Sequence, residues 1–594
     1  MKRNTFLLQT LKISGAALLA PYVGLPVVQA AAVAGNKHLL KDDDILQRLV
    51  AANDNQVNQL LSALQAGVTS TGRKIGFDFA TLSASYVSPG STYHQSPLIV
   101  EALEKLVQLL TGLQSADGTL NFGNLESPPD TAFLVEPLAA AARLLEQIKM
   151  PVLKNINEEV KKFLLRCGAA LSAGGVHTPN HRWLICAALA GIHAAYPNQL
   201  YINRIEDWLG EHFYIDADGH YPERSANYAV VENTAFLTVG RLLKKPMLFE
   251  PVRKNLEMTW YYMEPDGQLV TVDSRRQDQY TSKSMVAYYL QYRWLAIKDN
   301  NHLFAGITRL IEGLKGFEEE ILNKYLFQFL ENPLLQEALP EVAAPPVQYE
   351  KLFANAATLR LRHAGITTTL FGGVDWPVII ASGRSDSPNF YTHRKGAAIL
   401  KYMRLSADFF SMGYFYSDGL KKEGNAYVLH KKLAIPYYQP LPASRRNSKG
   451  DYKLSPSTDG RFWSKMDFEH RPVSNIKTLD TKISFTTAEG TDKLVFEVTG
   501  QAGVRVTVEL CFLEGGVLSG VLPADKGNNF LEKGMGKYEY GGSSIEFGPG
   551  VMAHKAVTGL EGERYSTHFG SLRTEGMHVY LTGITPFKHQ LLLS

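Results

Sequence analysis

The feature that most constrains the fold is a change of hydrophobic period near the middle of the chain. Between about residues 42 and 324, apolar side chains recur at steps of three and four over 45–64, 98–113, 132–148, 156–171, 183–195, 235–243, 282–297 and 304–327. That is the period of a helix with one buried face. The intervening segments 69–76, 118–130, 174–180 and 216–227 are rich in Gly, Pro, Asn and Asp, which break helices and make returns. Many amphipathic helices with short returns imply an all-helical layered domain, either a stacked solenoid or a closed ring of helical hairpins. No fixed-length repeat is evident, so the ring, an (α/α) toroid over residues 35–330, is the expectation. Segment 331–349 holds Pro333, Pro340, Pro345 and Pro346 with little periodicity and reads as a linker. From 350 to 594 the period becomes two. Val504, Val506, Val508, Leu510 and Phe512 alternate with Arg505, Thr507, Glu509 and Cys511, as in a strand with one buried face. Similar short runs fall at 359–361, 367–371, 378–381, 398–403, 494–498, 545–547 and 579–582, while 444–457 is polar like a long exposed loop. The expected fold is a multidomain α+β chain, the helical toroid followed by an antiparallel β-sandwich.

Composition narrows the function classes. At 594 residues the chain is too long for one core. A formal net charge of +3 with 20% charged residues gives no electrostatic pull toward nucleic acid. Cys167, Cys186 and Cys511 are too few and too far apart for a disulfide framework or a metal knuckle, and read as small core residues. At the N-terminus Lys2, Arg3 and Lys12 precede an apolar run ending near Val28, with Ala30, Ala31, Ala32 and Ala34 after it. This is the pattern of a secretory signal over residues 1–34, which implies a periplasmic or secreted bacterial protein. The run is short for a membrane span and contains Pro21, Gly24 and Pro26, so no stable membrane insertion is expected after its removal.

Five polar stretches carry the candidate chemistry. The densest is 218–228, where an Asp-Gly turn leads through Pro222 into Glu223, Arg224, Ser225 and Tyr228. Pro222 holds Tyr221 extended, so the side chains that follow are expected to splay from an irregular loop. Tyr221 and Tyr228 are candidate proton carriers and Arg224 a candidate anion partner. The second stretch places His177, Asn180, His181, Arg182 and Trp183 where a loop enters a helix, with Asn180 in position to cap it. Asn and His donate hydrogen bonds, and Arg grips an anion with two. This group therefore suits a carboxylate, with Trp183 either stacked on a sugar or buried. In 123–131, Asn124 and Asp130 offer sugar-hydroxyl recognition, or Asp130 caps the next helix. The polar loop 273–278 with Arg275 follows another Asp-Gly turn and is expected on the same rim. Last, 382–394 ends in His393 and Arg394, which could stand at the domain interface, a common place for ligand sites. His177 and His181 are four apart, but Pro179 spoils the helical ligand spacing, and no nucleophile elbow, phosphate loop or dinucleotide fingerprint stands in a sensible context.

These stretches, the Asn180-His181 pair opening a helix and the Asp-Gly-x-x-x-Glu-x-Ser-x-x-Tyr loop from Asp218 to Tyr228, resemble the heparinase II/III-like polysaccharide lyases and their alginate-lyase relatives, as does the order of toroid and sandwich. The resemblance implies β-elimination at a 4-linked uronic acid. Asn180 and His181 would neutralise the uronate carboxylate, Tyr228 would shuttle the proton, and His393 would be the histidine contributed by the β-domain. It also implies a uronate-containing glycan as partner. A histidine two positions after His393, frequent in the family beside a structural zinc, is here Lys395, so no metal and no other cofactor is expected. A base made of tyrosine needs positive charge beside it, which Arg224 or a histidine could supply. Two alternatives stay open on the residues alone. One is a glycoside hydrolase on a helical ring, using a carboxylate pair among Glu126, Asp130, Glu223 and Asp273. The other is a noncatalytic glycan-binding protein.

Overall fold

The computed structural model describes residues 43–279, 281–373, 388–410, 414–452, 455, 466–524, 527–556 and 575–594. The expected signal segment, the strand run at 378–381 and residues 382–387 of the last polar stretch lie outside the described residues. All described residues belong to one compact unit.

The first half is helical. Its α-helices are α1 (Asp43–Gln65), α2 (Lys74–Val87), α3 (Pro97–Leu113), α4 (Pro128–Ile148), α5 (Lys154–Ala173), α6 (Pro179–Ala195), α7 (Gln199–Gly210), α8 (Ala226–Leu242), α9 (Phe249–Tyr262), α10 (Tyr289–Lys298), α11 (His302–Glu312) and α12 (Leu326–Glu331). They form two layers. Helices α2, α4, α6 and α8 pack side by side as an inner row, and α3, α5, α7 and α9 back them from outside. Burial follows the layers. Outer α3 buries one stripe, Ile99, Leu103, Leu106 and Leu110, the alternating four- and three-residue steps of an amphipathic helix. Inner α2 and α6 are buried on nearly all sides. Small residues let the inner row close up: a Cβ on Gly191 of α6 would stand 3.2 Å from the Cβ of Ala139 on α4. Helix α12 folds back onto α1, α2 and α4. Its Glu331 accepts from Arg143 of α4 and Arg241 of α8, tying distant members of the row into a ring. One continuous apolar core runs through these layers.

Two boundaries depart from expectation. The periodic stretch 304–327 is not one helix: α11 stops at Glu312, Gly316 turns the chain at φ +90°, and a single π-helical turn, Glu318–Leu322, precedes α12. The stretch 282–297 begins as a 3-10 turn, Met285–Tyr288, before α10. The proline-rich segment between the halves has neither helix nor strand after Gln336, but it is anchored, since the Pro346 carbonyl accepts from the Trp260 indole at 3.1 Å.

The second half is a β-sandwich. Strands β1 (Tyr349–Phe353), β2 (Thr358–His363), β3 (Ile366–Phe371), β4 (Tyr391–Lys395), β5 (Ala398–Ala407), β10 (Arg505–Phe512), β16 (Met577–Ile584), β13 (Asn528–Phe530) and β12 (Leu522–Pro523) line up in that order as one sheet. The other sheet runs β11 (Val517–Ser519), β14 (Gly536–Tyr540), β15 (Ser543–Gly548), β17 (Phe587–Leu593), β9 (Thr491–Gly500), β8 (Val473–Ala488), β7 (Ala426–Tyr438) and β6 (Leu420–Glu423). Pairing is antiparallel except between β13 and β16. A second apolar core fills the space between the sheets. All three cysteines are buried and unpaired, as expected of core residues.

The first sheet meets the helical half through buried polar contacts. Glu264, just after α9, accepts from Arg360 of β2 at 2.8 Å and from Thr367 of β3 at 2.8 Å. Asp218 accepts from the backbone N–H groups of Asn355 and Ala356 at 2.6 and 3.2 Å. The same loop that carries the densest candidate chemistry is thus held by the β1–β2 turn.

Candidate active site

The inner helices all bring their N-terminal ends to one rim. Arg73 stands at the start of α2, Asp130 in the first turn of α4, Asn180 and His181 in the first turn of α6, and Tyr228 in the first turn of α8. Helix N-termini carry unsatisfied N–H groups and the positive end of the helix dipole, so such a rim favours anions. The caps differ from those expected. Ser127 caps α4, its hydroxyl accepting from the Asp130 N–H at 3.2 Å. Thr178 precedes α6, and Pro179 takes the first helical position, where its fixed φ is preorganised, so Asn180 lies inside the turn. Ser225 caps α8 and accepts from the Tyr228 N–H at 3.1 Å. Tyr228 therefore projects from a helix rather than from an irregular loop. The turn into that cap runs through Arg224, whose φ of +46° is rare outside glycine.

A chain of contacts links the rim residues. Asn180 donates to Glu223 from its side-chain amide at 2.7 Å and its backbone N–H at 3.2 Å. The other Glu223 oxygen pairs with Arg276, and both partners are buried. The Arg276 guanidinium lies 4.3 Å from the centre of the Tyr228 ring, a cation–π contact. Gln277 donates to the Tyr228 hydroxyl at 2.7 Å, which leaves the phenol proton directed elsewhere. Asp278 accepts from the Ser225 hydroxyl at 2.9 Å and so fixes the cap under Tyr228. The 273–278 loop is on the rim as expected, through Arg276 to Asp278, while Arg275 donates to the Pro222 carbonyl at 2.6 Å and braces the loop.

His181 completes the rim. Its ring meets His177 edge-on at 4.8 Å and Phe133 at 6.4 Å, and its Nδ1 has no hydrogen-bond partner among the described residues. Burial first, and then the nearby His177, Arg276 and Arg73, lower its pKa to about 4. The ring is neutral at ordinary pH and can donate one N–H. One turn below Tyr228 on α8, Glu232 is buried, and burial together with Glu223 holds its carboxyl well above the usual range. Asp130 accepts from Arg73 at 2.9 Å and from Asn124 at 2.7 Å. Burial alone would raise its carboxyl, but those two donors hold it below the usual value.

Other expected site residues stand away from the rim surface. Tyr221 is 3% exposed and donates to Asn233 at 2.8 Å inside the helical core. Trp183 is 2% exposed, packed against Phe236 with Arg182 over its ring. Arg182 itself pairs with Glu211 at 2.8 Å. Arg224 donates to the Asn355 carbonyl at 2.8 Å, across the interface rather than toward Tyr228. His393 is 0% exposed: it sits between the two sheets, 3.0 Å from Asp492 of β9, and cannot touch a substrate there. Arg394 pairs with Asp266 at 3.1 Å. The period-two pattern of β4 puts alternate side chains on opposite faces, and the inward set includes His393. Sequence reasoning gave Glu223 as a loop residue and a candidate hydrolase carboxylate, left Arg276 without a role in its polar loop, and passed over Arg73. The signal for Arg276 was its place in a polar loop after an Asp-Gly turn, but nothing in the sequence orients that loop.

One group has the composition of a cation site, Asp216, Asp218 and His220. Asp216 Oδ1 already accepts three backbone N–H groups, from Asp218, Gly219 and His220, each at 2.9 Å. Asp218 takes the two from the β1–β2 turn described above. N–H groups aimed at both carboxylates make this a clasp for the loop. The space enclosed beneath it, bordered by His220, Tyr221 and Tyr288, is about 30 Å³, room for a water and not for a sugar.

No family model matches the chain, and no curated protein matches it. Solved structures do. A Streptomyces coelicolor chondroitin AC lyase, solved in complex with chondroitin sulphate, aligns over 92% of this chain and 79% of its own with 14% identity and a TM-score of 0.52. A heparinase III aligns over 87% of this chain and 75% of its own with 13% identity and a TM-score of 0.50. At such identities the likeness is one of architecture, and this chain has the fold of those two lyases.

Proposed function

We propose that this protein is an exported polysaccharide lyase that cleaves a 4-linked uronic acid by β-elimination. The observation that carries the reading is Tyr228 beneath the Arg276 guanidinium, on the same rim as His181 and Asn180. The reaction takes the proton from C5 of the uronate; the electron pair forms the C4–C5 double bond, the C4–O4 bond breaks, and O4 leaves with a proton. The C5 proton becomes removable only when the carboxylate charge is quenched. The neutral His181 ring donates to that carboxylate and Arg276 supplies positive charge, while Asn180, itself fully buried, fixes Glu223 and through it Arg276. These are preorganised donors in a partly desolvated site, the term that dominates such catalysis. Tyr228 as phenolate takes the C5 proton and returns it to O4, with Arg276 placed to stabilise the charge on its oxygen. His393, enclosed between the sheets, has no part in this scheme.

A hydrolase needs two carboxyl groups facing one bond. Most buried acids at or below the rim are otherwise engaged: Glu223 by Asn180 and Arg276, Asp130 by Arg73 and Asn124, Asp273 by Tyr262 at 2.8 Å, and Asp278 by Ser225; Glu232 has no hydrogen-bond partner among the described residues, which is one carboxyl where a hydrolase needs two. The arrangement favours the lyase. The test is ultraviolet absorbance of an unsaturated uronate during incubation with uronate-containing glycans. Tyr228→Phe is expected to lower kcat by roughly 100- to 10,000-fold while oligosaccharide binding persists. New reducing ends without absorbance would point to hydrolysis instead, and binding without turnover in the unaltered protein would point to a noncatalytic glycan-binding role.

A further inference from the structure

Arg73 is built unlike a surface arginine. Its Nε and Nη2 both donate to one oxygen of Asp130, whose other oxygen is held by Asn124. The flat face of the guanidinium lies 4.0 Å from the centre of the Phe133 ring. A carboxylate and an aromatic face together fix the plane of the group, so little rotamer entropy remains to be lost when it binds something. Yet the side chain is 46% exposed while Asp130 is 3% exposed, and Nη1 makes no hydrogen bond among the described residues. The acid sits underneath, and the rim presents a preorganised cation. Phe133 touches both Arg73 and His181, so Arg73 stands beside His181 along the rim.

Given the uronate-lyase reading, on which this rests, we propose that Arg73 recognises the anionic substituent, carboxylate or sulfate, of the sugar next to the one that reacts, and so selects glycans charged on consecutive units. Arg suits this task because its fork matches both anions. Tying α2 to α4 is a purely structural role that the Arg73–Asp130 pair could also fill, and it predicts a different outcome.

The experiment measures KM and kcat of the full protein and Arg73→Gln on three oligosaccharides: consecutive 4-linked uronates, uronates alternating with an uncharged N-acetyl amino sugar, and the latter with the amino sugar sulfated. Arg73→Gln is expected to raise KM roughly 10- to 100-fold on at least one charged-neighbour oligomer with kcat within about twofold. KM on the neutral-neighbour oligomer should move less than about twofold. Loss on the uronate oligomer identifies a carboxylate ligand, and loss on the sulfated one a sulfate. Arg73→Lys, which keeps the charge but not the fork, should recover only part of the affinity. An equal loss on all three oligomers, or a fall in thermal midpoint without a change in selectivity, overturns the assignment. Calorimetry of the uronate and the sulfated oligomers with Tyr228→Phe and with Tyr228→Phe/Arg73→Gln separates the two readings. If no glycan gives elimination, the lyase reading fails, while equal affinities of the two variants for both oligomers sink Arg73 whether or not elimination is seen.

Discussion

His181 shows how much of the site is decided by surroundings rather than by residue type. A histidine in water titrates near 6.5 and would be half charged in a mildly acidic medium. Here burial, and after it His177, Arg276 and Arg73, lower it to about 4, so the ring is neutral at ordinary pH. Between pH 6.5 and 4 the unfolded chain binds a proton at this position and the folded chain does not. Stability therefore falls as pH drops through that window, by up to about 3 kcal/mol from this one group. His181→Gln is expected to flatten that slope in urea unfolding measured from pH 7 to pH 4; a slope equal to that of the unaltered protein would show that the ring protonates freely in the folded state. The sequence singled out the Asn180-His181 pair at a helix start and Tyr228 in a polar loop, but not the caps that place them, Thr178 before α6 and Ser225 before α8. It singled out Arg224 as the anion partner, whereas the arginine over the Tyr228 ring is Arg276. Arg224 and Arg276 are equivalent as letters, and only the left-handed turn at Arg224, which sends its side chain to Asn355, leaves Arg276 over Tyr228.

At the scale of elements, the inner row depends on backbones that nearly touch. A Cβ on Gly76 of α2 would stand 2.6 Å from the Leu134 carbonyl oxygen of α4 and 3.3 Å from Pro137. Backbone cannot yield as a side-chain tip can, so Gly76→Ala is expected to push α2 off α4 and destabilise the protein by about 1–3 kcal/mol, read as a lower urea midpoint with an unchanged slope. Since α2 begins with Arg73, the same shift should also raise KM on a charged substrate. An alanine that proves neutral or stabilising, as exposed helix propensity alone would have it, would show that the two helices are not in contact there. The same packing explains which helices were legible. Outer helices such as α3 carry the one-sided stripe that periodicity detects. Helix α2, buried on nearly every side, α7, which buries only Tyr201 and Ile205, and α9 escaped the reading. The strand runs of β2, β3, β5, β9, β10, β15 and β16 were plain from their alternation, whereas the long antiparallel pair β7 and β8, with polar side chains along much of its length, was not.

For the whole molecule, the question is what holds the sandwich against the ring closely enough to support the loop carrying Glu223 and Tyr228. Much of the answer is Glu264. Burial would raise its carboxyl, but Arg360 and Arg394 more than offset that and hold it at about 2. Arg360 is itself fully buried and also donates to the Tyr261 carbonyl at 2.9 Å, so one guanidinium binds the end of α9 to β2. Removing the acid strands that charge away from water. Glu264→Ala is expected to cost about 3–5 kcal/mol at pH 7, while replacing Glu264 and Arg360 together by apolar residues of similar volume should cost far less. The sign with pH follows from the lowered pKa. The unfolded carboxyl has its usual value near 4.5, so the stabilisation is complete above that, declines as pH falls from 4.5, and is gone below about 2. Unfolding of the protein and of Glu264→Ala by urea at pH 7 and pH 3 should therefore show a gap that narrows on acidification; a gap of the same size at both values would mean that the carboxyl is not held ionised by Arg360. The contact also bears on turnover. Asp218 holds the β1–β2 turn only while that turn stays docked, and the Asp218–Ser225 segment sets the cap beneath Tyr228. Loosening the interface should thus lower kcat in Glu264→Ala even at temperatures where the chain remains folded.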